Sequence, residues 1–462
     1  MLTLAKQWLL NVLYGLLLVA VCPWILYRRM TQGRYKQGWS EKLFGSVPNL
    51  AINNAQRPTQ LQDTKTIWFH AVSVGELQVI RPLVERAASE LPSAKLLIST
   101  STDSGLELAK KLYSQHAVSF APLDFTWAID RALDRINPDL IVLAELELWP
   151  NWILNASKRQ IPIVVINGRL SQKSLQGYRR IGSIARHIVR RLHWIGAQSE
   201  TIQNRFIELG CDPEKIQVVG NIKFDGANHD RNHPEVRLRA EQLGLSDPSS
   251  CIWLCGSTQA PEEKICLDTF CELADRFPNF KLILVPRHAE RFDEVAKMVQ
   301  ATKLPWGRRS NMDSQGLDRQ WRIFLADSVG ELRWWWGLAD LGFVGGSFGS
   351  RGGQNMIEPC AYGVATCYGP NTRNFTDIVQ ILQEASAATQ LRTPEDLKPW
   401  VVRMLEDQPS RSQMAKRARA ITQEHRGATE RTWNKISQIL AGTDPAFLSA
   451  GTDPAFLSNL DT

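Results

Sequence analysis

Three groups of side chains stand where their types and spacing could do chemistry. The first is a single carboxylate. In HAVSVGEL (residues 70–77), Glu76 follows the apolar run TIWF. A carboxylate in that place caps the coming helix, sits buried with a partner, or takes a proton from a bound hydroxyl. Ser73 and Glu76 make the S-x-x-E pattern of a capping box, and Gly75 lies between them. The pentapeptide SVGEL recurs at residues 328–332 after the apolar run WRIFLA. By itself it therefore reads as a strand–cap–helix device used twice. The second group is Glu145 and Glu147 in LIVLAELELWPNW, two residues apart at the end of an apolar strand. Carboxylates rarely occupy such a place without a partner, so an internal salt bridge and the binding of a polar acceptor are both open.

The third group would handle phosphate. In FVGGSFGSRGGQNMIEPCAYG (residues 343–363) an apolar strand runs into glycines, among them Gly345, Gly346, Gly352 and Gly353, with Ser347 between, and then a helix begins. Glycines permit close approach, and free amides at a helix start can hold a phosphate. The run fits a dinucleotide fingerprint poorly and lies in the last third of the chain, so a glycine-rich turn without ligand is the alternative. Glu358 beyond it would accept from ribose hydroxyls or complement the helix dipole. Arg287 and His288, just past the strand in LVPRHAERF, offer a two-point grip on phosphate or a surface salt bridge. Lys223 in GNIKFD stands between the two halves of the chain, where a solvated lysine is the ordinary expectation.

Buried strands alternating with amphipathic helices must position these groups. Expected strands are TIWFHAV, KLLIST, AVSFAP, LIVLAE, IPIVVIN, WIGAQ and IQVVG, then CIWLCGS, FKLILVPRH, WRIFLAD and LADLGFVGG. The alternation predicts α/β domains with parallel sheets covered on both faces. Residues 177–196 read as one basic amphipathic helix, with Ile181, Ile184, Ile188 and Leu192 along one stripe and five arginines outside it. That helix is either packed with a solvated basic face or meets lipid phosphates. The tryptophans at 334–336 read as core.

At 462 residues the chain has room for two substantial domains. Its net charge of +7 calls for an acidic partner: phosphate, nucleic acid or an anionic membrane. Eight cysteines without CxxC spacing, and histidines without HxH or HExxH, predict no disulfide framework and no metal. Residues 8–27 carry no charge and are about long enough to span a bilayer core of roughly 30 Å; Asn11 and Pro23 weaken the span, so a helix lying on the membrane surface is the alternative. Arg28, Arg29, Arg34, Lys36 and Lys42 follow, which places the body of the protein on the cytoplasmic side. The tail repeats AGTDPAFLS twice (residues 441–449 and 450–458), too little for a solenoid. It reads as a functionless duplication.

Taken together, HAVSVGEL, ELELWPN, INGRLS, GNIKFD, LVPRHAERF and FVGGSFGSRGGQNMIEP resemble, in order, the motifs of the 3-deoxy-D-manno-octulosonic acid (Kdo) transferase family. The resemblance excludes only the duplicated tail. It implies a GT-B fold, two Rossmann-like domains facing across a cleft. The expected division is an anchor helix (1–30), a juxtamembrane segment and linker (31–65), an acceptor domain (66–225), a donor domain with closing helices (226–440) and a disordered tail (441–462). The donor would be CMP-Kdo. The acceptor would be a lipid A precursor reached from the cytoplasmic face of the bacterial inner membrane, with anionic lipid but no nucleic acid as a further partner. By resemblance the general base falls on Glu76, and the transition-state-stabilising positions on Glu145 and Lys223. The CMP contacts fall on Pro286 and Arg287, on Val329, Gly330 and Glu331, and on Asn355, Met356, Ile357 and Glu358, where the family often has Pro at position 356. Ser73, Gly75, His288 and the glycine run are secondary candidates. The implied reaction is a one-step inverting transfer without cofactor. A UDP-sugar transferase of the same fold, or a glycolipid-binding relative without chemistry, would share much of this pattern.

Overall fold

The run TIWFH is buried at all five positions, as a central parallel strand covered on both faces must be. In the computed structural model, which describes residues 4–32, 37–51, 64–227, 229–245, 249–312 and 320–443, it forms β1 (Thr66–His70). With β2 (Lys95–Thr100), β3 (Ala117–Phe120), β4 (Leu140–Ala144), β5 (Ile163–Gly168), β6 (Trp194–Ala197) and β7 (Ile216–Val218) it makes a parallel sheet of order β3-β2-β1-β4-β5-β6-β7. Alternate side chains of β1 feed two cores. Trp68 packs on Trp152 with ring centroids 4.5 Å apart, while Ile67 and Phe69 meet the helix Val74–Glu90 on the other face. The order reverses between β1 and β4. Ligands of open parallel sheets bind outside the carboxyl ends of strands at such a switch point. The segments that leave β1 and β4 carry Glu76 and Glu145.

A second parallel sheet holds β8 (Cys251–Thr258), β9 (Phe280–Pro286), β10 (Trp306–Arg308), β11 (Ile323–Leu325), β12 (Leu341–Val344), β13 (Ala365–Tyr368) and β14 (Ala388–Gln390). Its order is β10-β11-β9-β8-β12-β13-β14, with the switch between β8 and β12. The glycine-rich run leaves β12. All expected strands are present, and two Rossmann-like α/β units of the GT-B class result. β10, β13 and β14 escaped notice because WGR, ATCY and ATQ are too short and mixed to stand out.

One unit contains the chain up to Asp225 and again from His425; the other is Gly226–Glu424. The return differs from the expected end at residue 440. Trp433 and Ile436 of the helix Ala428–Leu440 are buried in the core of the first unit, and Trp433 Nε1 donates to Glu90 Oε2 at 2.6 Å. Asp225 fastens the start of that helix, accepting from the N–H groups of Gly427 (2.6 Å), Ala428 (3.2 Å) and Thr429 (2.6 Å).

The expected single helix at 177–196 is a different object. It comprises helices Gln172–Arg180 and Gly182–Val189, broken at Ile181, and then β6. Gly182 weakens the helix there, and Ile181 is exposed rather than part of the buried stripe, which keeps Ile188 and Leu192. Trp335 and Trp336 are core as expected, whereas Trp334 is half-buried and stacks on His233 at 4.3 Å. The N-terminal helix spans Leu4–Gln32, and among the described residues it is the one helix long and apolar enough to cross a membrane. The duplicated tail and most of the expected linker lie outside the described residues.

Replacing Asp225 with Ala removes the acceptor for three helix-start amides. Its expected cost is about 1–2 kcal/mol, read as a lowered unfolding midpoint of the full chain, with the amides of residues 427–429 exchanging faster.

Candidate functional site

The first unit gathers its carboxylates at the switch point. Ser73 is the N-cap of the helix Val74–Glu90, in extended geometry (φ −118°, ψ 164°). Its Oγ accepts from the Glu76 N–H at 3.3 Å and donates to Glu76 Oε1 at 2.8 Å. The Val72 N–H donates to Glu76 Oε2 at 2.8 Å. The capping box is therefore half made, because Glu76 accepts from the Val72 N–H and not from the N–H of the Ser73 cap itself. The arrangement still fixes the carboxylate instead of consuming it, since each oxygen keeps a lone pair. Gly75 has a free side above it and needs no special conformation. The loop itself is tied to β2: Ala71 N–H donates to Ser99 O (3.0 Å), and Thr100 Oγ1 donates to Val72 O (3.0 Å). His70 lies 2.9 Å from Ser99 Oγ, and burial lowers its pKa to about 4, so it is a neutral strut.

Glu145 adopts φ 60°, a left-handed conformation costing a non-glycine residue about 1–2 kcal/mol. Its N–H still extends the sheet by donating to Ile166 O (2.9 Å). The side chain lies 3.4 Å from Arg169 and 3.6 Å from Lys223. Strain held at a strand end points to function. Lys223 sits on the short turn Ile222–Phe224, which three buried amides hold in place. Asn221 Oδ1 accepts from the Lys223 N–H (3.1 Å), and Asn221 Nδ2 donates to Gln198 Oε1 (3.3 Å). Gln198 Nε2 in turn donates to Asn167 O (2.9 Å), and Asn167 Oδ1 accepts from the Ile222 N–H (3.0 Å). Asn167 and Arg169 lie in INGRLS and Asn221 in GNIKFD, so the motifs were visible but these roles were not.

Burial raises the Glu76 carboxyl above its ordinary value; the Val72 and Ser73 donors and Lys223 pull it down, and Glu145 pushes it up. Glu147 is pushed up to about 7, first by burial and then by Glu76, with Glu145 adding to it, against a 2.5 Å hydrogen bond from Trp149 Nε1. The structure thus brings Glu76, Glu145 and Lys223 together and adds Glu147 and Arg169.

In the second unit the glycine run departs from expectation. Its first amides are not free for a phosphate. The Gly345 N–H donates to Gly256 O (2.9 Å). Those of Gly346 (2.7 Å), Ser347 (2.9 Å) and Phe348 (3.0 Å) all donate to Glu262, which also takes the Gln259 N–H (3.0 Å). Glu262 is 1% exposed. A buried anion of the chain's own occupies the nest, and nothing in the local sequence marked it. Gly352 and Gly353 have φ of 92° and 83° and turn the chain toward Asn355. Asn355 Oδ1 accepts from the Ile357 N–H (3.0 Å), and its Nδ2 donates to Glu358 Oε1 (3.1 Å). Met356 and Ile357 are buried, backbone included, so of the expected run only Asn355 and Glu358 reach the surface.

Glu358 is raised by burial, against Asn355 and then the charges of Arg333 and Arg287. Pro286 closes β9, and the Arg287 N–H donates to Thr258 O (2.9 Å) while its side chain is exposed. His288 lies 3.7 Å from Glu290 and lines, with Gln259, Arg291 and Arg351, a cavity of about 190 Å³.

The second SVGEL is not a copy of the first device. Ser328 Oγ does donate to the glutamate, at 2.6 Å, but Glu331 is itself the N-cap of a four-residue helix, Leu332–Trp335. It pairs with Arg239 (3.1 Å) and Arg309 (3.3 Å). Burial pushes its carboxyl up, but Ser328 and the two arginines outweigh that and hold it below the ordinary value. Val329 and Gly330 (φ 87°) form an exposed tip.

A family model described as 3-deoxy-D-manno-octulosonic-acid transferase (kdotransferase) matches residues 37–226. A 3-deoxy-D-manno-octulosonic acid transferase of Haemophilus influenzae is 33% identical over 377 residues, covering 81% of this chain and 87% of the relative. One from Bordetella pertussis is 31% identical over 387 residues, covering 81% and 87%. Among solved structures, the C-terminal CMP-Kdo binding domain of WaaA from Acinetobacter baumannii is 30% identical, with a TM-score of 0.38, covering 41% of this chain and 96% of that one.

Replacing Glu262 with Gln puts an amide donor among four backbone donors. The expected cost is about 1–3 kcal/mol, with the amides of residues 346–348 losing most of their hydrogen-exchange protection. Unchanged protection would show that Glu262 does not hold the glycine run.

Proposed function

This chain belongs to the 3-deoxy-D-manno-octulosonic acid (Kdo) transferase family and is a glycosyltransferase, and from that premise we propose that it moves Kdo from CMP-Kdo to a lipid A precursor at the cytoplasmic face of an inner membrane. The observation that carries the mechanism is the grouping of Glu76, Glu145 and Lys223 at the switch point of the first sheet. Glu76 takes the proton of the acceptor hydroxyl as that oxygen attacks the anomeric carbon of Kdo. The bond from that carbon to the phosphate oxygen breaks in the same step, CMP leaves with the electron pair, and the configuration inverts. Two features suit Glu76 to this role. Burial raises its basicity, and the Ser73 and Val72 donors hold its oxygens in fixed directions. Lys223, held by Asn221 and drawn to Glu145, supplies positive charge as the phosphate departs.

The second unit supplies the donor site in this reading. Arg287 grips phosphate, and Asn355 and Glu358 present an amide and a carboxylate to the nucleoside. Val329, Gly330 and Glu331 form a second contact on their exposed tip. Gly345, Gly346 and Ser347 serve by holding the strand-to-helix turn against Glu262 rather than by touching phosphate. The chain's own cations offset the leaving charge, so transfer needs no added cofactor. The N-terminal helix anchors the protein to the lipid that carries the acceptor.

The test is transfer by purified full-length protein from CMP-Kdo to a tetraacyl lipid A precursor in the presence of a chelator. A Kdo–lipid product, with competition by CMP and not UDP, is expected; no product from folded protein and fresh donor would sink the reading. Glu76→Gln should lower kcat by on the order of 10²–10⁴ with little change in CMP binding.

The pH profile gives an independent check. Glu76 must be deprotonated to act, so the rate falls on the acid side as the pH drops through its raised value. Glu145 raises Glu76 by its negative charge, so Glu145→Gln lets Glu76 ionise at lower pH. The acid limb should therefore move to lower pH in that variant; a limb that stays put would separate Glu145 from the base.

A further inference from the structure

Two polar residues interrupt the apolar N-terminal helix, and both are buried: Gln7 is 3% and Asn11 4% exposed. Gln7 Nε2 donates to Asn155 Oδ1 (2.9 Å), and its Oε1 accepts from Lys158 Nζ (2.6 Å). Asn11 Nδ2 donates to Thr126 Oγ1 (2.7 Å), and its Oδ1 accepts from the Thr126 N–H (3.1 Å) and Asn151 Nδ2 (3.3 Å). One turn on, Tyr14 lies beside Asp124, and its ring stands edge-on to Phe125 at 6.2 Å. Positions 7, 11 and 14 share one helix face. The opposite face carries Leu9, Val12, Leu13 and Leu16, each half-exposed or more.

This docking and a bilayer crossing exclude each other. A helix spanning the membrane with Arg28 and Arg29 at the cytoplasmic surface would carry Asn11 about 25 Å away, into the far leaflet. Its amide would then be stranded in hydrocarbon, where an unpaired polar group is costly. Docked, every polar atom of both amides has a partner. The part beyond the clamp, residues 15–27, is about 20 Å long, short of the roughly 30 Å of a bilayer core. Lying along one leaflet, it keeps Arg28 and Arg29 at the headgroups. Membrane lipid is the occupant that suits an exposed apolar face followed by Arg28 and Arg29.

We propose that the N-terminal helix does not cross the membrane. It is clamped to the first unit through Gln7, Asn11 and Tyr14 and lies with its exposed apolar face in a single leaflet, its N-terminus on the side of the catalytic units and Arg28 and Arg29 at the headgroups. The proposal rests on the reading of this helix as a membrane anchor. Its direction has a consequence for the site. The helix runs along Pro150–Lys158 from Lys158 toward Asn151 and Asp124, so it leaves the unit where β3 and β4 end. The same sheet edge carries Glu76 and Glu145, and the lipid surface therefore adjoins the carboxylates.

An epitope tag placed before Met1 of the full-length chain tests this in spheroplasts with an intact inner membrane. The tag should resist added protease until the membrane is permeabilised, while the protein stays in the membrane fraction. Cleavage in intact spheroplasts would overturn the clamp and leave the anchor reading standing; protein found wholly in the soluble fraction would overturn both. As a second measurement, Asn11→Cys with Thr126→Cys, in a Cys22→Ser background, should be joined within one chain by a short bis-maleimide in isolated membranes. Failure to join, with each single cysteine still labelled by a monofunctional maleimide, would also overturn the clamp.

Discussion

Parallel strands that run into helices leave backbone N–H groups unpaired at every turn of the chain, and those groups favour an anion. At three of these turns this protein meets that demand with its own carboxylates. Asp225 takes three amides at the start of the returning helix. Glu262 takes four around the glycine run. Asp124 takes two at the start of the helix Pro150–Lys158, from Asn151 (3.0 Å) and Trp152 (2.8 Å). Without these internal anions the carboxyl edges of both sheets would lack fixed geometry, and no side chain placed there could be aimed.

The same accounting separates the structural carboxylates from those available for chemistry. Glu262 and Asp225 are surrounded by backbone donors that cannot turn away. Glu76 accepts one backbone N–H and one hydroxyl proton. Glu145 faces cations at 3.4 and 3.6 Å, distances longer than a close hydrogen bond. The fewer fixed donors a carboxylate has, the more of its basicity it can offer a substrate. That ordering singles out Glu76 and Glu145 on geometry. It also explains why the two SVGEL segments differ: the first glutamate meets an amide and a serine, the second a pair of arginines that keep it ionised.

Legibility in the sequence followed the same division. Long apolar runs such as CIWLCGS and LIVLAE announce buried strands, because nothing else satisfies such a run. The segments leaving their ends could be named as site candidates because Glu76 and Glu145 are conspicuous there. Partners could not be named. Glu262 lies more than 80 residues from the three glycine-run amides it binds, and Asp225 about 200 from its own, so neither leaves a pattern beside the segment it holds. The glycine run looked like an open phosphate cradle because its occupant is distant in sequence. Helical periodicity at 177–196 misled for a related reason: one helix ends at Arg180 and another starts at Gly182, and spacing continues across a break that it cannot register.

The N-terminal helix shows how far this rule extends. By length and hydropathy it passes as a membrane span, and two amides look like flaws in it. Yet Gln7 and Asn11 find complete sets of partners on the helices that follow β3 and β4, so they are the reason the helix has a fixed place. A hydrophobic run sets what a segment tolerates around it. The few polar groups within it decide which of the tolerated places it takes, because each must be paired before the apolar remainder can be buried. For the lipid acceptor proposed above, a fixed anchor beats a loose tether, since it constrains the angle as well as the distance between bilayer and the proposed base.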